Sequence, residues 1–424
     1  GASGNGSGVS VRPACRRGRR PSDWGLRVTT ELAAPIDLAE MYVLVGGVPV
    51  VALGEAGVQI GGEPPNWLLL RRAPSNAVSI LRHLDGTTAA GAVLRAHDAD
   101  PAVWHGLLTR LRDARLLVCA GDWSFPGMSP GPFLEPERDS LVHRHGVSAA
   151  KRVLQARHDA VVVVRGSGRI ATAVAACLAT SGVGHVHQQP DRALRLADLP
   201  EPPPTRTAAR PVVPEDGVPD FPASVGLERM SPSRADGAAL AANVRRVAPG
   251  VKVHQPAPHH RIDLMVLAGD GPPAPSLAAE LSQQRTPHLA VRAGLTSAVV
   301  GPFVLPGRSS CLVCALRQRA DLDSARPMFE EGLRQELVVP PAALVGAASA
   351  LAASEALDHL DGICMPSTLD GTVEWSLGQL APRRRSWAMH PDCGCHRSAP
   401  DGRNRESSNP RSPIPRPSAR VQTQ

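Results

Sequence analysis

The sequence predicts an α/β chain. Its expected core is a doubly wound, largely parallel sheet of Rossmann-like type carrying a structural zinc, preceded by a small winged-helix-like module. Three observations lead there. Strand-like and helix-like runs alternate from Val161 onward, which is the pattern of βαβ units. The stretch VVVVRGSGRIA sets Gly166, Gly168 and Ala171 at GxGxxA spacing between a four-valine strand and a helix. Two close cysteine pairs, Cys311 with Cys314 and Cys393 with Cys395, offer four thiolates from two tight turns.

From Met41 the runs MYVLVGGVPVVAL, GVQIGG and NWLLLRR are short, apolar and broken by Gly and Pro, so they read as strands of a small sheet. Three helical segments follow: SNAVSILRHLDG, TTAAGAVLRAH and PAVWHGLLTRLRDARLLV, the last opening on Pro101 at a first-turn position. This gives a winged-helix-like module over 36–122 and a Pro-containing linker over 123–136. The α/β domain then spans 137–396. It begins with one helix from Glu137 to about Arg157 and continues through the βα unit at Val161. A proline-rich surface loop is expected over 200–235. Next come a helix near Ala238–Val247, strands VKVH and IDLMVLAG, a helix near Leu277–Gln284 and strand HLAVRA. An Ala-rich helix over Ala342–Leu360 and strand-like TVEWSL and RRSWAM close the domain.

Composition narrows the function classes. The chain carries net +7, but residues 1–30 contribute +5 and residues 397–424 contribute +4, leaving −2 between them. The folded part is therefore slightly acidic, and its surface is not that of a duplex-binding domain, which places positive charge where phosphate meets it. The tails 1–35 and 397–424, rich in Gly, Ser, Pro and Arg, are expected to be disordered. No apolar run is long enough to span a membrane, and the N-terminal stretch lacks the apolar segment of a secretory signal. Cys15, Cys119, Cys177 and Cys364 stand singly, as in a reducing cytosol, so a cytoplasmic protein is expected.

The candidate sites follow. Gly166, Gly168 and Ala171 allow the tight turn that brings backbone amides to a phosphate at a helix N-terminus. Asp270, after IDLMVLAG, stands where an acid would hold magnesium, though Gly269 and Gly271 equally suit it to a turn. The second strand ends His187, Gln188, Gln189, where a working nucleotide site normally has an acid for the ribose, so ATP and Mg are expected to bind weakly or not at all. At the cysteines, four protein ligands leave no open coordination position, which makes the zinc structural, with His390 and His396 as adjacent substitutes. No catalytic residue is assigned: neither a Ser-His-Asp order nor a paired-carboxylate motif stands out.

The block TPHLAVRAGLTSAVVGPFVLPGRSSCLVCALRQRADLD, with HPDCGC later, resembles the actinobacterial ThiF-type (ubiquitin-activating-enzyme-like) proteins of thiazole/oxazole-modified peptide and bacteriocin biosynthesis. The resemblance extends over most of 40–396, with GPFVLPGRSSCLVC its most specific part, and departs from the family at SARPMF. It implies metal on Cys311, Cys314, Cys393 and Cys395. It also implies an N-terminal module that captures the leader of a precursor peptide as an added strand. The implied partner is a YcaO-type cyclodehydratase that uses ATP to form azolines, and relatives with this core often pair as homodimers. The function so implied is a leader-binding scaffold; the alternative is an active ATP-dependent adenylyltransferase acting on a peptide or carrier-protein C-terminus.

Overall fold

The computed structural model describes residues 35–62, 67–71, 73–123, 134–190, 237–269, 271–334, 338–379 and 381–396. Both basic tails, most of the linker, the proline-rich loop and Asp270 lie outside the described residues.

The N-terminal part runs β1 (Met41–Leu44), β2 (Val50–Ala52), β3 (Val58–Ile60), β4 (Leu68–Leu70), α1 (Ala77–Arg82), β5 (Asp85–Ala89), α2 (Ala90–Ala96), α3 (Pro101–Asp113) and β6 (Leu117–Cys119). The strands make two antiparallel sheets, ordered β2-β3-β4 and β5-β1-β6. Helix α3 starts where Asp100 accepts the Ala102 amide at 2.9 Å, with Pro101 following it. Trp104, Leu108 and Leu111 then repeat at helical spacing on its buried face. They join Ile60, Ile80, Leu81 and Leu94 in one core, each of these aliphatic side chains contributing about 1.5–3 kcal/mol by leaving water.

The run expected as a single helix to Val118 stops earlier. Arg115 adopts φ 60°, which reverses the chain, and Leu117 to Cys119 return as β6 beside β1. Apolar periodicity could not separate Leu116 to Val118 from the helix, because they are buried in either form. The strands also interleave with the helices rather than preceding them.

The second part opens with α4 (Glu135–His145) and α5 (Val147–Asp159), where the sequence suggested one helix. Gly146, at φ 85°, breaks it. The remaining elements are β7 (Val161–Arg165), α6 (Arg169–Thr180), β8 (His185–Gln189), α7 (Gly237–Val247), β9 (Leu264–Leu267), α8 (Pro275–Gln283), β10 (His288–Ala293), β11 (Ser297–Val304), α9 (Leu312–Leu322), α10 (Arg326–Leu333), α11 (Ala342–Asp361), β12 (Gly371–Ser376) and β13 (Arg383–Ser386). VKVH is no full strand; its backbone pairs with β8 through a single bridge between His185 and Lys252.

Seven strands form one sheet in the order β13-β12-β11-β10-β9-β7-β8. Neighbours from β8 to β10 are parallel, whereas β10 to β13 pair antiparallel. The sheet is thus mixed, and the expectation of a largely parallel one is corrected. The reason is local: β10 and β11 are joined by residues 294–296 alone, with Gly294 donating to Ser297 O at 2.8 Å, and a parallel crossover needs about a dozen residues.

Side chains alternate across the sheet. Val162, Val164, Leu264, Val266, Leu289 and Val291 face α6, α7 and α11; Val163, Met265 and Leu267 face α8 and Leu312 of α9. Helices therefore cover both faces. Alanines at 348, 352 and 356 repeat along the buried side of α11 and let it lie close to α6. One buried cation ties the layers: Arg157 grips Asp361 with two bonds of 2.7 and 2.8 Å, and also donates to Glu137 at 2.9 Å and Ser181 O at 3.0 Å. No helix among the described residues is long and apolar enough to cross a membrane.

Candidate metal centre and glycine turn

The four predicted cysteines converge. Cys311 is the N-cap residue of α9 and Cys314 lies in its first turn, one buried turn below the end of β11. Cys393 and Cys395 come from the turn beyond β13, where the Cys393 amide donates to His390 O at 3.0 Å. Sulfur–sulfur distances are 3.7 Å for Cys311–Cys314, 3.6 Å for Cys311–Cys393 and 3.5 Å for Cys314–Cys395, and all four sulfurs lie within 4.8 Å of one another. A tetrahedron with metal–sulfur bonds of about 2.3 Å has edges of roughly 3.8 Å. The cluster can therefore hold a tetrahedral metal such as zinc with little movement.

Its electrostatics also ask for a cation. Burial pushes the Cys311 thiol up to about 12, and burial with neighbouring sulfurs raises Cys395 as well. Burial works against Cys314 too, but hydrogen bonds from the His390 and Cys311 backbone and from the Cys395 and Cys393 thiols together outweigh it and hold that thiol below its usual range. Without a metal, the corner favours few thiolates; a bound dication stabilises all four.

His390, a possible substitute ligand, is otherwise engaged. Its Nδ1 accepts the Asp392 amide at 3.1 Å, which leaves the proton on Nε2, 3.0 Å from Asp321 Oδ2. It braces the turn that carries Cys393. Sequence reasoning missed Asp321, whose signal was its position two helical turns after Cys314 on the same helix. Gln318 reaches Ala388 O, and Arg319 lies over the ring of buried Trp387, so α9 grips the segment leading to the second cysteine pair.

At the glycine turn, Gly166, Gly168 and Ala171 also come together, between β7 and α6. Gly166 has φ 145°, and a Cβ there would lie 2.3 Å from Ala268 O on the strand next door. That glycine is required by the packing of two strands. Gly168, the residue before α6, has φ −77°, a conformation open to any residue. Ala171, in the first turn of α6, is fully buried. Of the residues that end β8 where a ribose acid would stand, buried Gln188 turns inward, donating to Gly166 O at 3.0 Å and to Thr172 Oγ1 at 3.2 Å, while Gln189 is half-buried. His187 Nδ1 bonds Val253 O at 3.1 Å. No carboxylate stands on β8 among the described residues, and Asp270 is not among them.

No family model and no curated protein matches the chain. Solved structures do. Escherichia coli MccB with MccA matches at a TM-score of 0.52 and 15% identity, covering 84% of this chain and 99% of that one. MccB with AMPCPP and MccA matches at 0.51 and 16% identity, with the same coverage. The microcin C7 biosynthetic enzyme MccB with N-formylated MccA matches at 0.50 and 15% identity, again with 84% and 99% covered. At such identities the likeness is one of fold, and the chain shares the α/β fold of MccB.

Proposed function

We propose that this chain is a leader-peptide-binding scaffold that presents a ribosomal precursor peptide to a YcaO-type, ATP-dependent cyclodehydratase for thiazoline and oxazoline formation. In this reading, zinc on Cys311, Cys314, Cys393 and Cys395 is structural, and the winged-helix-like module over 36–122 captures the leader. The observation that carries it is the sheet β2-β3-β4. Both of its edge strands lack a further strand among the described residues, and Val51 within β2 and Leu53 and Trp67 beside the sheet are 47%, 42% and 39% exposed. A peptide strand added there gains main-chain hydrogen bonds and covers these apolar side chains. That MccB, which shares the fold, forms complexes with MccA supports a peptide partner. Gln188, turned inward to brace Gly166, supports a role without nucleotide chemistry.

The test is calorimetric titration of the full chain with leader peptides encoded beside it, followed by azoline formation with the neighbouring YcaO-type enzyme. The expected result is micromolar binding, weakened about tenfold or more by Val51→Asp with Leu53→Asp. Absence of binding to every such peptide would sink the reading.

A second reading is favoured by the glycine turn and by the AMPCPP complex of MccB: an ATP-dependent adenylyltransferase. Pyrophosphate exchange that depends on an acceptor peptide or carrier protein, and is lost in Asp270→Ala, would establish it in place of the first.

A further inference from the structure

Strand β10 sends Leu289, Val291 and Ala293 into the core beneath α11, so Arg292 projects to the opposite face, toward α8 and α9. There it lines a cavity of about 50 Å³ whose walls include Pro275, Val299, Leu312 and Leu316. A water needs about 10–15 Å³ of such space, so the cavity has room for about three to five waters. That suits a carboxylate on a short stem and excludes a nucleotide.

The charges around the cavity are not balanced. Glu330, 4% exposed, is already taken by Arg319 at 2.7 Å and Arg326 at 3.0 Å. Arg334 pairs with Glu331 and donates to Pro272 O, and Glu374 is held by Arg385 at 2.7 Å. Among the described residues no hydrogen bond or ion pair reaches the Arg292 guanidinium. Burial, then the nearby Arg319, press its pKa below the usual arginine range. The side chain is half-buried and makes no hydrogen bond to protein among the described residues, so an anion in the cavity gains its donors at little desolvation cost. Its planar fork matches a carboxylate with two parallel bonds. Glu330 in the same wall repels a phosphate dianion more than it repels a monoanion.

We propose that Arg292 and the cavity between β10, α8 and α9 form a carboxylate-binding subsite, built for a carboxyl group on a short aliphatic stem. Two sources supply that chemistry: the C-terminus of a bound peptide, or a free short-chain acid. The peptide source rests on the scaffold reading above; the subsite itself does not.

Sodium propionate is the probe, titrated into the full chain and followed by the Arg292 Nε resonance and by Tm. The expected result is a shifted resonance and raised Tm in the wild type, with affinity at least about tenfold weaker in both Arg292→Gln and Arg292→Lys. Without propionate, Arg292→Gln is expected to melt no lower than the wild type, because it removes an uncompensated charge. A wild type indifferent to propionate, equal stabilisation of wild type and variants, or tighter binding of inorganic phosphate than of propionate would each overturn the subsite. Peptides with a free C-terminus and their amides then separate the sources. Binding about tenfold tighter than propionate, lost on amidation, assigns the peptide, and parity with propionate assigns the free acid. Leader binding without any propionate effect would leave the scaffold reading standing and remove the subsite alone.

Discussion

The cysteine corner and the glycine turn are both motifs of a few residues at fixed spacing, yet they keep different things. At the corner, four side chains meet at distances a metal would impose, and the groups around them, His390 with Asp321 and the His390 amide on Cys314, serve to hold sulfur in place. At the turn, the backbone keeps the path from strand to helix, but the Gln188 side chain turns inward. Gln188 spends its amide on Gly166 and Thr172, and the space a Gly166 Cβ would enter is filled by Ala268 O. A thiolate motif has no use except its ligand. A glycine motif can persist for packing after a ligand is gone, so its survival says more about the fold than about the chemistry.

The largest effect separates the two directly. Cys393→Ser removes one ligand from a buried set, and structural zinc in small sites contributes about 10–16 kcal/mol of apparent binding energy to folding. Metal analysis is expected to fall from one equivalent to near none, with loss of soluble folded protein; a variant that keeps its Tm and its metal would show that the corner is only a cluster of buried thiols. Gly166→Ala comes next. It combines a strained φ with a 2.3 Å approach to a backbone oxygen that cannot swing away. We expect a stability loss of about 3 kcal/mol by denaturant titration. A neutral substitution would mean that the turn is not packed as described.

How much of this was legible in the sequence follows from the same division. Cys311, Cys314, Cys393 and Cys395 could be picked out because two pairs of thiols at close spacing serve few purposes besides holding a metal. The βα unit at Val161 was equally plain, since a four-valine strand, glycines and an alanine-rich helix agree at every level. The antiparallel half of the sheet was not. SAVVGPFV, now β11, is apolar on both sides and broken by Gly301 and Pro302, so no period marks it as a strand, and its direction depends on the short link after β10. The helix end at Arg115 was blurred because Leu116 to Val118 are buried in either conformation, and the one at Gly146 because a lone glycine inside a helical pattern need not break it. Arg292, in turn, is one arginine among many; only the sheet's alternation puts it into a cavity.

Gln188→Glu tests whether the turn is a lapsed nucleotide site or one built for packing. It replaces the donor to Gly166 O and Thr172 with a carboxyl group that is buried and, if ionised, faces a carbonyl oxygen. The expected outcome is a loss of about 2 kcal/mol with no gain in ATP affinity. ATP binding restored by the new acid would show that only one side chain had been lost, and would shift the balance toward the adenylyltransferase.

The smallest effect is the most discriminating between the two glycines. Gly168 sits at φ −77°, where an alanine meets no backbone strain, and it caps α6 without any side-chain bond. Gly and Ala differ modestly at such a position, so Gly168→Ala is expected to change stability by about 0.5 kcal/mol or less. What the second glycine does provide is close approach of backbone amides to a phosphate, a benefit that appears only when a ligand is bound. If Gly168→Ala leaves Tm unchanged and also leaves peptide binding and azoline formation unchanged, while Gly166→Ala costs stability, the turn is a packing element in this chain. Should Gly168→Ala abolish an ATP-dependent signal without moving Tm, the glycine turn would match the cysteine corner after all, as a motif whose ligand is still in use.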